Sequence, residues 1–258
     1  MARAQLLWVG FTTFIIRSYE DIVRWFVMTL APPAVTTALY LVVFGTLIGQ
    51  RVGSEGGFGY RQYIAPGLIV MPIVSGSYSH AALSFLTAKL HRFLDEHLVS
   101  PQPSWMIVVS YSAGASLRGI LVGLVVAVIV LMFVPVHVQS FPHMAAAMLL
   151  ISLLTSLAGL LNGVFVRTFD QASWIPSFVL TPLTYFGGVF YSLSVLPTWA
   201  QHLSLANPIF YMVSLFRYCM LGVSDVHPGV AVSVMLLMAL AMFAAATVLV
   251  SRGIGIKD

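Results

Sequence analysis

Two stretches of this chain, residues 62–87 and 105–134, are almost free of charged side chains. The first has no Asp, Glu, Lys or Arg, and the second has only Arg118. Each exceeds the roughly 20 mostly apolar residues that a helix needs to cross a bilayer. The whole chain agrees: it is 59% hydrophobic and 8% charged, with a mean hydropathy of +0.96, whereas soluble domains carry about 25% charged residues. So much apolar surface predicts a bilayer as the solvent. The expected fold is an all-α membrane protein, one transmembrane domain over residues 1–258.

Six stretches qualify as spans: 26–49, 62–88, 105–134, 143–166, 175–196 and 229–250. The third is longer than one crossing, and its more polar half before Arg118 is predicted to project from the membrane. Positive residues set the orientation. One side would hold Arg3, Arg17, Arg24, Lys89, Arg92, Arg118, Arg167, Arg252 and Lys257, the other Arg51, Arg61 and Arg217. That bias predicts both termini in the cytoplasm. No small-x-small site precedes Arg17, Glu20 and Asp21, so no cleaved signal peptide is expected.

Residues 5–25 place Leu7, Phe11, Phe14, Ile15 and Ile22 at near-helical spacing, with charges elsewhere. This predicts an amphipathic helix on the membrane surface, or else an extension of span one. Gly119 and Gly123 form a GxxxG pair, as do Gly159 and Gly163. Such pairs let helix backbones approach closely, within one subunit or between two. Residues 197–228 carry Pro197, Trp199, Pro208, Arg217 and Asp225 yet stay largely apolar. They are too broken for one span and too greasy for a free loop, so two short re-entrant outer helices fit.

The sparse charges concentrate in KLHRFLDEHLVSPQP, residues 89–103. As a helix this places Leu90, Phe93, Leu94 and Leu98 on one face and His91, Arg92, Asp95 and Glu96 elsewhere, with Pro101 and Pro103 ending it. Two bases balance two acids. The charges alone fit a helix resting on lipid headgroups or one docking a protein partner.

The order of residues resembles the ABC-2 type permeases, membrane subunits of bacterial ATP-driven exporters. Arg92, Glu96, Leu98 and Pro101 resemble that family's first cytoplasmic loop. LVVFG at Leu41–Gly45 looks like its end of span one, and YIAPGLIV at Tyr63–Val70 like its start of span two. The long block around Pro182, Gly187, Gly188, Phe190, Pro197, Asn207, Pro208 and Arg217 is similar to its most recognisable region. One departure is His97, where relatives often have Leu. The resemblance covers essentially the whole chain. It implies six spans, a surface-lying N-terminal helix and re-entrant outer helices between spans five and six. It also implies a coupling helix at residues 89–103 that docks on an ATPase, with Arg92, Phe93, Asp95, Glu96, Leu98 and Pro101 as the coupling residues. Two permease copies would bind two copies of an ABC ATPase subunit in the bacterial inner membrane.

A P-loop needs GK[ST], and the two lysines here follow Ala88 and Ile256. ATP and Mg would therefore belong to the partner chain, with no cofactor bound by this one. Buried acids suited to an ion-coupled carrier are scarce, and no strong internal repeat is detected. An ATPase-independent secondary transporter remains the alternative, ahead of an intramembrane enzyme, for which HExxH and GxSxG are missing. No metal site is expected: His91 and Asp95 share a helix face, and His137 and His143 flank a short loop, but neither pair has enough ligands. No basic stripe suggests nucleic acid. Tyr40, Tyr63, Tyr78, Tyr185, Phe186, Phe190 and Tyr191 are candidates for an aromatic substrate path, or ordinary interface anchors. Asn162 in span four is a candidate substrate contact or a helix-to-helix hydrogen bond, and Arg118 can snorkel. By the family's example the cargo would be amphipathic: a glycolipid, polysaccharide or hydrophobic drug.

Overall fold

A computed structural model of the chain describes residues 26–49, 54–55, 57–91, 103–136 and 138–255. The surface helix expected over 5–25 and the coupling residues Arg92, Phe93, Asp95, Glu96, Leu98 and Pro101 lie outside the described residues. Helix α1 (Phe26–Tyr40) widens into π-helix at Leu41–Ile48. A small antiparallel pair follows, β1 (Ser54–Glu55) with β2 (Phe58–Gly59). Then come α2 (Tyr60–Leu90), α3 (Ser104–Phe133) and α4 (Phe141–Phe165). Helix α5 (Phe169–Ile175) passes through π-helical Pro176–Leu180 into α6 (Thr181–Tyr185). Helices α7 (Thr198–Ala206), α8 (Pro208–Leu221) and α9 (Pro228–Arg252) complete the described chain. Among the described residues, five helices are long and apolar enough to cross a membrane: Val27–Thr46, Tyr60–Leu90, Ser104–Phe133, Phe141–Phe165 and Pro228–Arg252.

The stretch expected as a fifth span at 175–196 is helical instead from Phe169 to Tyr185. It starts early because the Thr168 hydroxyl caps it, accepting from the Gln171 amide at 3.3 Å, with Asp170 in the first turn. Those polar residues resemble a loop in sequence. It stops early because the Gly187–Gly188 turn follows and Gly188 takes φ +72°, a left-handed conformation that L side chains rarely adopt. Seventeen helical residues rise only about 25 Å, less than the roughly 30 Å hydrocarbon core.

Helix α2 is the axis of the bundle and packs chiefly on α4 and α3. Both glycine pairs serve these contacts within the one chain. A Cβ at Gly159 would overlap the Tyr78 carbonyl, and one at Gly163 would sit 2.9 Å from the Ala82 carbonyl oxygen. A Cβ at Gly119 would strike Ser77, and one at Gly123 would lie 2.5 Å from Ile73. The polar first half of α3 is packed inside the bundle. Ser110, Ser112 and Ser116 are buried, and the Ser116 and Ser156 hydroxyls meet at 3.1 Å. The Phe85 and Tyr111 rings pack edge to face, 5.3 Å apart.

The two ends of the bundle differ. At one, Lys89 Nζ donates to the Val164 and Val166 carbonyls at 2.9 and 2.8 Å. It thereby satisfies the carbonyl end of α4 with a cation, where the helix dipole favours one. At the other end, the segments between α6 and α9 fold over α2 around Arg217.

Candidate functional site

The Arg217 end is held by a buried ion pair. Asn207 starts α8, its side-chain oxygen accepting from the Ile209 amide at 3.0 Å and its Nδ2 donating to the Leu183 carbonyl at 2.6 Å. Two and a half turns later Arg217 points inward, 1% exposed. It donates to Asp225 Oδ2 at 2.7 Å and to the Gly188 carbonyl at 2.5 Å, and its guanidinium lies 4.0 Å over the Tyr63 ring. Asp225 also accepts from the Ser192 hydroxyl at 2.7 Å and the Leu193 amide at 3.4 Å. Four segments therefore converge on one pair: α2, the turn after α6, α8 and the loop before α9. Burying two charges is costly, and this dense bonding is the compensation such a pair requires.

Beside this clamp stands an aromatic cluster joining α1 to the turn after α6. The Tyr40 and Tyr185 hydroxyls are hydrogen-bonded at 2.6 Å. Phe190 lies between them, stacked on Tyr185 at 5.8 Å and edge-on to Tyr40 at 6.0 Å. Phe44 reaches Phe190 at 4.4 Å, and the Tyr60 hydroxyl donates to the Phe190 carbonyl at 3.1 Å. Three expected path residues, Tyr40, Tyr185 and Phe190, thus adjoin. Phe44 and Tyr60 complete the group and were missed, although Phe44 stands in the first expected span and Tyr60 two residues before the second. Gly67 lets the turn settle on α2, since a Cβ there would lie 2.7 Å from Val189.

The other expected path residues stand elsewhere. Tyr63 lies beneath Arg217 and is buried. Tyr78 is buried in α2 where Gly159 of α4 crosses it. Phe186 is exposed and Tyr191 half-buried in the turn. Burial raises the Tyr191 phenol above its ordinary value, while Ser204 and Gly188 pull it back. Asn162 is at the opposite end, its Nδ2 donating to the Ala172 carbonyl at 3.2 Å.

A second polar group ties three helices together mid-bundle. Arg118 of α3 bonds His80 Nδ1 of α2 at 2.9 Å and donates to the Thr29 hydroxyl of α1 at 2.9 Å. His80 escaped the sequence reading because a neutral imidazole leaves no trace in a count of formal charge. Its place inside an uncharged run was the available signal.

Comparison with known proteins bears on what such a bundle does. Residues 10–221 match the family model described as ABC-2 type transporter. The chain is 45% identical over 253 residues to the inner membrane transport permease YadH of Escherichia coli, covering 98% of this chain and 99% of that one. It is 21% identical over 215 residues to nodulation protein J of Rhizobium leguminosarum bv. viciae, covering 83% of each.

Proposed function

Because this chain belongs to the ABC-2 type transporter family, we propose that it is the permease subunit of an ATP-driven exporter in a bacterial inner membrane. The observation that carries this reading is the near-end-to-end 45% identity to a transport permease, together with five helices fit to cross a bilayer. On this reading both termini and the Lys89 end face the cytoplasm, and the Arg217 end faces outward. Two copies pair and bind two ATPase subunits, which hold ATP and Mg. Residues 89–103 dock on the ATPase through Arg92, Phe93, Asp95, Glu96, Leu98 and Pro101.

The aromatic cluster then acts as an outer gate. In this closed arrangement α1 is latched to the turn after α6 by the Tyr40–Tyr185 bond and by Phe190. An outward path opens when these rings part, and aromatic faces suit an amphipathic cargo better than a small ion. The clamp around Arg217 keeps the turn itself folded while α1 moves away from it.

The test is a pull-down of the tagged full-length chain from native membranes, with mass spectrometry and an ATPase assay on the eluate. A stoichiometric ATPase bearing a P-loop is expected. Replacing Arg92 and Glu96 with Ala should remove it while leaving the thermal midpoint of the permease unchanged. A chain that purifies without any ATPase, and transports without ATP, would instead be a secondary carrier.

A further inference from the structure

A groove of about 520 Å³ opens at the Lys89 end, between the last turn of α4 and the first turns of α5. We propose that it binds the primary ammonium headgroup of a membrane aminophospholipid. Asn162, Phe165, Asp170, Gln171 and Trp174 line it. Asn162 is 6% exposed, and with its Nδ2 given to Ala172 its Oδ1 has no hydrogen-bond partner among the described residues. Buried acceptors are nearly always satisfied, so this one calls for a donor. The Asp170 carboxylate on the rim adds a negative charge. The Gln171 side-chain oxygen is already occupied, accepting from the Arg167 amide at 2.9 Å.

An acceptor and a carboxylate together select a cation with N–H groups. A primary ammonium carries three, whereas a quaternary choline carries none. Exposed Trp174 offers a ring face to the same cation. The level of the groove identifies the source as lipid. Trp174, 61% exposed, lines it, and an exposed tryptophan marks the depth at which headgroups lie. Phe165 and Ile175 supply apolar wall for the glycerol and upper acyl chain.

The full-length protein, with any subunits that accompany it, would be delipidated in detergent. It would then be titrated with phosphatidylethanolamine, or with the phosphatidylcholine of identical chains, under native mass spectrometry. The ethanolamine lipid should bind about tenfold more tightly, because only it can make charge-assisted hydrogen bonds. Asp170→Asn, at an exposed side chain, should bring that preference down to about twofold. Asn162→Leu should lower ethanolamine-lipid binding without raising choline-lipid binding. Equal binding of the two lipids, or a preference untouched by Asp170→Asn, overturns the proposal. Free ethanolamine that competes at the lipid's own concentration overturns the lipid assignment.

Discussion

Arg217 and Asp225 form an ion pair whose side chains are only 1% and 12% exposed. The two charges are a liability apart and an asset together. Asp225→Ala would leave a buried guanidinium with its carboxylate gone, a change that costs about 3–5 kcal/mol. We expect a correspondingly lower thermal midpoint, read in detergent by tryptophan fluorescence or by static light scattering. The double variant Arg217→Met with Asp225→Leu should recover most of the loss, since apolar replacement of a whole buried pair is often neutral or better. A double variant as damaged as the single one would mean that the bonds to Gly188 and Ser192, not the charge balance, hold this end together. Arg217 and Asp225 stand eight positions apart in one greasy segment, so the sequence offers their pairing, with an anionic headgroup as the other partner for Arg217. It could not show Tyr63 or Gly188 in the group, since these come from parts of the chain far off in sequence.

Helix-scale features were legible in proportion to how local their causes are. Apolar runs of bilayer length announced the long helices, because hydrophobicity and length are properties of a segment by itself. The stretch from Phe169 to Tyr185 was misjudged because its start depends on a cap and its end on backbone geometry. Both glycine pairs signalled close approach, yet a single chain does not say what approaches. The structure gives α2 as the answer for Gly119, Gly123, Gly159 and Gly163 alike. Gly159→Val should therefore fail as a fold rather than as an assembly. Its methyls would meet the Tyr78 carbonyl, a rigid backbone atom in a densely packed interior. The check is size-exclusion chromatography with protease digestion: a monodisperse, protease-resistant variant that has merely lost its partner copy would contradict this.

At the scale of the molecule, the candidate site was half legible. Family order pointed to the block from Pro182 to Arg217, and this block does fold over the end of the bundle. The aromatic residues of that block could be named but not assembled. Tyr40 meets Tyr185 across 145 positions of sequence, and Tyr78 and Asn162 lie apart from them. No periodicity argument reaches across such a separation, because a pattern within one helix gives its face and not its neighbour.

The Lys89 contacts have a mechanical consequence. Two bonds from one ammonium weld the end of α2 to the end of α4, at the very place where the chain enters residues 92–102. Any push arriving there loads both helices at once, and α3 is keyed to α2 by Gly119 and Gly123. On the proposed reading, helices α2, α3 and α4 would act as a stator, stiff under load. Compliance would then be left to the flanks, where π-helical turns follow α1 at Leu41–Ile48 and interrupt the α5–α6 run at Pro176–Leu180. If a partner ATPase drives the chain as proposed, paired spin labels on α2 and α4 should keep one sharp distance through its ATP cycle, while labels on α1 and α2 broaden or shift. If the α2–α4 distance moves first, the weld is a hinge and the load path runs the other way.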